Sequence, residues 1–239
     1  MTMVIHRAEE RGKAEHGWLS ARHSFSFANW YNADRMGFGA LRVLNDDRIA
    51  PGAGFPPHAH SDMEIITIVT SGAVAHKDST GSEGVVHAGE VQVMSAGTGV
   101  IHSEYNASET EPLTLFQIWI ETATPKALPR YAERAFSHAE KTMLLVAPLG
   151  SPEVSFGNAL GIHQRAYVTR VRLATEKTYS YTIHDIQNGM YIFVVEGMIA
   201  IEKEELSVRD AVGITDTNQC DIFAQRVSEL LIIEVPVAA

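Results

Sequence analysis

His58-Ala59-His60-Ser61-Asp62-Met63-Glu64-Ile65-Ile66-Thr67-Ile68-Val69-Thr70-Ser71-Gly72 decides the fold class of this chain. From Met63 to Thr70 it is apolar and β-branched, and it closes on Ser71-Gly72, which reads as a strand running into a turn. Upstream, Leu41-Arg42-Val43-Leu44 leads into Asn45-Asp46-Asp47, which reads as a turn, and Pro51-Gly52-Ala53-Gly54 is a second break. Downstream, Ala73 to Asp78 mixes apolar and polar positions before Ser79-Thr80-Gly81, and Val85-Val86, Gly89 and Val91-Gln92-Val93-Met94 follow. Leu113 to Ile120 is apolar on both faces. Short strands between regularly spaced turns predict a β sandwich or barrel.

Thr124-Pro125-Lys126-Ala127-Leu128-Pro129 has the composition of a linker, and Tyr131-Ala132-Glu133-Arg134-Ala135 reads as a short helical turn. Strand-like patterning returns at 142–147 and 163–173. Tyr191-Ile192-Phe193-Val194-Val195-Glu196-Gly197 is similar to the segment Ile65 to Gly72, and Asp210-Ala211-Val212-Gly213-Ile214 to Gly89-Glu90-Val91-Gln92-Val93. This faint repeat suggests that one barrel has been duplicated. The expected division is 1–130 for a first barrel and 131–239 for a second.

The 239 residues suffice for a core without metal or disulfide support, and the single cysteine, Cys220, excludes an intramolecular disulfide. Cys220 reads as a small buried hydrophobe. A net charge of −10 with scattered Lys and Arg disfavours direct binding of nucleic acid. The N-terminus lacks the apolar stretch of a signal peptide, and no run approaches the ~20 apolar residues of a membrane helix. The expectation is a cytoplasmic protein with no membrane partner.

His58 and His60 stand two residues apart, so on a strand both point to one face, and His102 and Glu104 share that spacing. Two such pairs brought together supply three imidazoles and a carboxylate, a set suited to iron, manganese, cobalt, nickel, copper or zinc. Glu64 is the rival carboxylate, because its even offset from His60 keeps it on the same face. Gln117 and Trp119 share a face of their strand and are candidates for the cavity wall. Trp18, Phe25, Phe27, Trp30 and Phe38 read as packing that covers the barrel, with a wall for an aromatic substrate as the alternative. His76 and His87 read as surface residues, and His184 lacks the companions of a second metal site.

Gly52 to Glu64 resembles the first cupin motif, G-x5-H-x-H-x3-E, and Gly89 to Asn106 resembles the second, G-x5-P-x-G-x2-H-x3-N. Three departures stand out: Gly72 falls one place late, Ser95 replaces the proline, and two extra residues separate Gly97 from His102. Gly97 and Gly99 read as turn positions that need a positive φ. Taken with His23-Ser24-Phe25-Ser26-Phe27-Ala28-Asn29 and Gln117-Ile118-Trp119-Ile120, these stretches resemble the pirin family and its bacterial bicupin relatives over most of 10–135. The resemblance implies an all-β bicupin, two stacked jelly-roll β-barrels with short helical segments, the second barrel degenerate and without metal. It implies one divalent metal, iron(II) favoured, on His58, His60, His102 and Glu104, with Glu64 supporting them.

The resemblance also implies a quercetin 2,3-dioxygenase activity, in which a flavonol reacts with O2 to give a depside and carbon monoxide. Glu104 is then the candidate general base for the flavonol hydroxyl. The competing reading is a non-enzymatic regulator whose metal redox state sets its affinity for a protein partner. A third, sugar-phosphate isomerisation, would need a cluster of basic residues that the sequence does not display. A monomer is expected, since a duplicated barrel can bury its own inter-barrel face.

Overall fold

The computed structural model describes residues 1–137 and 139–237. In chain order the first strands are β1 (Thr2–His6), β2 (Gly12–Glu15), β3 (Leu19–His23), β4 (Leu41–Ile49), β5 (Gly54–His60), β6 (Met63–Ser71), β7 (Ala73–Asp78), β8 (Glu83–His87), β9 (Glu90–Ser95), β10 (Val100–Asn106), β11 (Leu113–Glu121) and β12 (Arg130–Ala135). There follow β13 (Thr142–Pro148), β14 (Leu160–Ile162), β15 (Tyr167–Leu173), β16 (Lys177–Thr182), β17 (Asn188–Glu196), β18 (Met198–Ile201), β19 (Glu204–Ser207), β20 (Ala211–Thr215), β21 (Gln219–Ala224) and β22 (Ser228–Pro236). Among the described residues helix is confined to a 3-10 turn at Ala8–Glu10 and a single turn, α1, at Pro152–Ser155. Among the described residues no helix is long and apolar enough to cross a membrane.

Each half is a two-sheet jelly roll. The first pairs a seven-stranded sheet, in the order β12-β9-β6-β11-β4-β3-β2, with a four-stranded sheet, β5-β10-β7-β8. The second pairs β1-β20-β17-β22-β15-β13-β14 with β16-β21-β18-β19. The faint repeat is topological: β17 sits between β20 and β22 as β6 sits between β9 and β11. β1 takes the edge beside β20 that β12 takes beside β9. A cut between 130 and 131 would therefore separate β1 from the sheet it completes and leave β12 apart from the sheet it closes.

The two large sheets face each other through one apolar core, in which Phe116 and Phe193 meet edge to face at 5.6 Å. Burial there supplies most of the stabilisation, because each large side chain removed from water contributes about 1.5–3 kcal/mol. The interior of the second barrel is filled by Val171, Met190, Ile192, Val194, Ile214, Ile222 and Ile232, together with Cys220 at 4% exposure. The interior of the first barrel is different, since a polar row crosses its large sheet.

Two local readings of the sequence are corrected. Asn45-Asp46-Asp47 is no turn; it lies mid-strand in β4, paired to β3 on one side and β11 on the other. Two flanking ladders outweigh the turn propensity of three polar residues. Likewise 130–135 is extended, because β12 pairs along the edge of β9 from Arg130↔Ser95 to Ala135↔Glu90.

Candidate metal centre

The site lies between the two sheets of the first barrel. On the small sheet, β5 carries His58 and His60, β10 carries His102 and Glu104, and β7 carries His76 and Asp78. The register sets His102 opposite His58 on one side and opposite Asp78 on the other, with Glu104 opposite His76. A β-bulge falls between His102 and Glu104 on the β5 side. Bulges re-aim side chains next to functional sites. Gly97 and Gly99 adopt φ values of 47° and 133° as β10 is approached.

The ligand-capable atoms of His58, His60 and His102 lie within 4.8 Å of one another, as do those of His76, His102 and Glu104. His58 Nδ1 lies 2.8 Å from the Pro56 carbonyl, which can only accept, so this nitrogen carries the hydrogen and leaves Nε2 free. His60 Nε2 and both ring nitrogens of His102 are buried without a hydrogen-bond partner. Burial first, and the neighbouring imidazoles second, hold His60 down at about 4 and His102 at about 3. Neutral imidazoles with unsatisfied nitrogens in a converging group are the donor set that a divalent cation needs, so the residues present fit a metal ion.

Glu104 is 3% exposed and held from three sides. Gln92 Nε2 donates to its Oε1 at 2.6 Å, the Thr67 hydroxyl donates to the same oxygen at 3.2 Å, and Gln117 Nε2 donates to Oε2 at 3.0 Å. Burial pushes its carboxyl above the usual carboxylate range, and His76 with the Thr67 and Gln117 donors opposes the rise. Its donors belong to a row that runs across five strands of the large sheet in strict register. Gln92 pairs with Thr67, Thr67 with Gln117, Gln117 with Asn45 and Asn45 with His23. His23 and Asn45 close the row through Nδ1 and Oδ1 at 2.8 Å.

Glu64 is 1% exposed but belongs to neither ligand group; its Oε2 accepts a 2.6 Å hydrogen bond from Ser95. Trp119 meets the His60 ring edge to face at 4.8 Å and Phe27 at 5.3 Å. Above the histidines opens a cavity of about 330 Å³, walled by Phe27, Phe55, Pro56, Pro57 and Trp119, with Gln117, Asn45 and Asp47 on its polar side. The volume falls within the ~300–1,000 Å³ of small-molecule sites, which are also mostly apolar with few placed polar groups.

A profile of the pirin family matches residues 4–120, and one of the quercetinase C-terminal cupin domain matches 149–235. The quercetin 2,3-dioxygenase of Escherichia coli K12 is 43% identical over 236 residues, spanning 98% of this chain and 99% of that one. This chain belongs to the pirin family. A pirin-like protein of Caulobacter vibrioides is 41% identical over 95% of the chain and 96% of its own length. Among solved structures, the bacterial pirin YhhW of Escherichia coli in complex with nickel(II) superposes with a TM-score of 0.91 at 40% identity, covering 99% of this chain and 100% of that one.

In this member of the pirin family the sequence motifs pick out His58, His60, His102 and Glu104, and the fold brings them to one wall. His76 was missed. It is 1% exposed, its Nε2 lies 3.0 Å from Asp78 Oδ2, and its ring stacks on Tyr131 at 4.5 Å. The clue was available, because His76 and Asp78 stand two residues apart as His58 and His60 do, and Val74, His76 and Asp78 are all buried. Asp47 was missed for the same reason as the turn, since Asn45, Asp47 and Ile49 are the inward positions of β4.

Proposed function

We propose that this chain is a metal-dependent dioxygenase that cleaves flavonols such as quercetin with O2, with His58, His60, His102 and Glu104 holding one divalent metal, iron(II) in the cell. The observation that carries this reading is the convergence of His58, His60 and His102 at the base of an aromatic-walled cavity, with His60 Nε2 and both His102 ring nitrogens buried and unpartnered. The full-length likeness to proteins named quercetin 2,3-dioxygenase supports it. So does the bacterial pirin YhhW, which has the same fold and was solved in complex with nickel(II).

The protein's part divides by residue. The Pro56 carbonyl fixes the tautomer of His58, so that Nε2 is presented as a ligand. Gln92, Thr67 and Gln117 hold Glu104 as an oriented carboxylate in a buried place where a free acid would otherwise be favoured. When bound, the metal supplies Lewis acidity toward a flavonol hydroxyl and a site for O2. Phe27, Phe55 and Trp119 offer ring faces and edges to a flat substrate and exclude water from it. Glu64, engaged by Ser95, supports β6 and β9 rather than the metal. All these groups come from one chain, so the reading requires no second copy. That the first barrel, which β12 completes, holds the metal and the second, which β1 completes, does not is part of the same proposal.

Oxygen uptake with quercetin on protein of measured metal content tests the activity, beside a His58→Ala/His102→Ala control. Metal-dependent uptake with carbon monoxide released, and lost in the control, is the expected result. Full occupancy by iron, manganese, cobalt, nickel and copper in turn, without uptake, overturns the reading in favour of a metal-sensing partner protein. The choice of carboxylate is tested by metal content alone. Glu104→Gln is expected to lower affinity at least about tenfold, and Glu64→Gln to leave it within about twofold.

A further inference from the structure

Two carboxylates line the cavity, Glu104 and Asp47, and they are treated oppositely by the fold. Glu104 accepts three hydrogen bonds from Gln92, Thr67 and Gln117, so a ligand proton would compete with donors already in place. Asp47 is 5% exposed, and its Oδ1 is buried without any hydrogen-bond partner. A buried carboxyl oxygen left unsatisfied costs roughly what a lost hydrogen bond to a charged group would contribute. Neutralisation does not remove the difficulty, because a protonated carboxyl still presents an acceptor oxygen.

Burial, together with Asp46 and Glu104 nearby, pushes Asp47 up to about 7. The backbone explains why the group stays there. β4 is clamped by β3 through Ala21↔Asp47 and by β11 through Leu115↔Asp47, so the side chain cannot swing out to solvent without breaking two ladders. It stands on the same face of β4 as Asn45, one strand repeat, roughly 7 Å, from the polar row that holds Glu104. What is missing beside it is an O–H or N–H donor, and the opening it faces is walled by aromatic rings.

Resting on the aromatic substrate class proposed above, we propose that Asp47 is the specificity-determining carboxyl of the cavity: it accepts a hydrogen bond from a phenolic hydroxyl of the ligand. Polyhydroxylated aromatics are thereby selected over the same ring system without those hydroxyls. A site built around a polar contact rejects an analogue that lacks it, because the buried group is then left unpaired.

The test is anaerobic equilibrium binding at pH 8 to the metal-loaded protein, with quercetin and 3-hydroxyflavone as probes. These share the ring skeleton and the 3-hydroxyl and differ in the remaining hydroxyls. The wild type is expected to prefer quercetin by about 10- to 100-fold. Asp47→Leu is expected to bring that ratio close to one, with metal content unchanged and affinity for 3-hydroxyflavone retained or raised. Asp47→Asn, nearly isosteric and still an acceptor through its amide oxygen, is expected to fall between the two and serves if the leucine variant does not fold. A preference unchanged in either folded variant overturns the inference, whether or not the wild type consumes oxygen. A preference that is present in the wild type and lost in the variants, without oxygen uptake, sustains Asp47 as the anchor and overturns the dioxygenase reading instead. A wild type that binds neither probe overturns both.

Discussion

Replacing His6 by glutamine gives a clean measure of how the first strand is fastened to the second barrel. His6 ends β1, the edge strand that completes the second large sheet, and it is 8% exposed. Its Nδ1 lies 3.0 Å from the fully buried Tyr191 hydroxyl, and the Phe25 ring packs against both, 5.8 Å from the imidazole and 5.2 Å from the Tyr191 ring. Burial, and then the Arg35 charge, hold the imidazole down from 6.5 to about 4. The unfolded chain therefore binds a proton near pH 6.5 that the folded chain refuses until about pH 4. Stability from this residue is complete above pH 6.5 and is lost as the pH falls through the window between the two values. At pH 5 the loss is about 2 kcal/mol, and over the whole window it reaches about 3 kcal/mol. Glutamine preserves a polar group there without the titration. Guanidinium unfolding of both proteins, at equal metal content, should show the wild type more stable by about 1–2 kcal/mol at pH 7.5. That margin should shrink by about 2 kcal/mol at pH 5. A margin constant between pH 7.5 and 5 would refute the reasoning, since it would mean that the imidazole accepts its proton as readily when docked as when free.

Gly97→Ala should destabilise by about 2 kcal/mol or more and weaken metal binding at least about tenfold, as read by thermal unfolding and by nickel titration. The added Cβ would stand 2.0 Å from the Ala127 carbonyl oxygen at a φ of 47°, in the turn that delivers β10 and His102. Cys220 should resist a maleimide in the native protein at pH 8, and react at once when guanidinium is added. Burial pushes its thiol up to about 12 from 9.0, which leaves roughly a thousandfold less thiolate than an exposed cysteine has. Equal labelling rates in the two states would show that β21 opens readily.

The histidines and the glutamate that line the candidate site were legible because the signal is local. An H-x-H and an H-x-E pair each fix their side chains to one face of a strand by the period of two, whatever lies beside that strand. The same holds for the turn glycines Gly97 and Gly99, whose backbone need is met within a few residues. The departures from the cupin pattern at Gly72, Ser95 and Gly97 leave the spacing within His58–His60 and within His102–Glu104 unchanged. Glu64 shows the limit of parity. It shares the even offset, yet Ser95 on the neighbouring strand claims its carboxylate.

The sequence by itself determined an all-β chain, its duplication, and three histidines on common faces, because alternation and turn chemistry are properties of consecutive residues. Only the tertiary structure decided that Asn45-Asp46-Asp47 is strand, that 130–135 is extended, and that β1 belongs to the second sheet. It also decided that His76 stands across from Glu104, and that Gln92, Thr67, Gln117, Asn45 and His23 form one row. In each of these cases the deciding partner lies on another strand, often distant in sequence. Pairing register, set by which apolar faces can be buried together, chooses that partner, and no window of consecutive residues contains it.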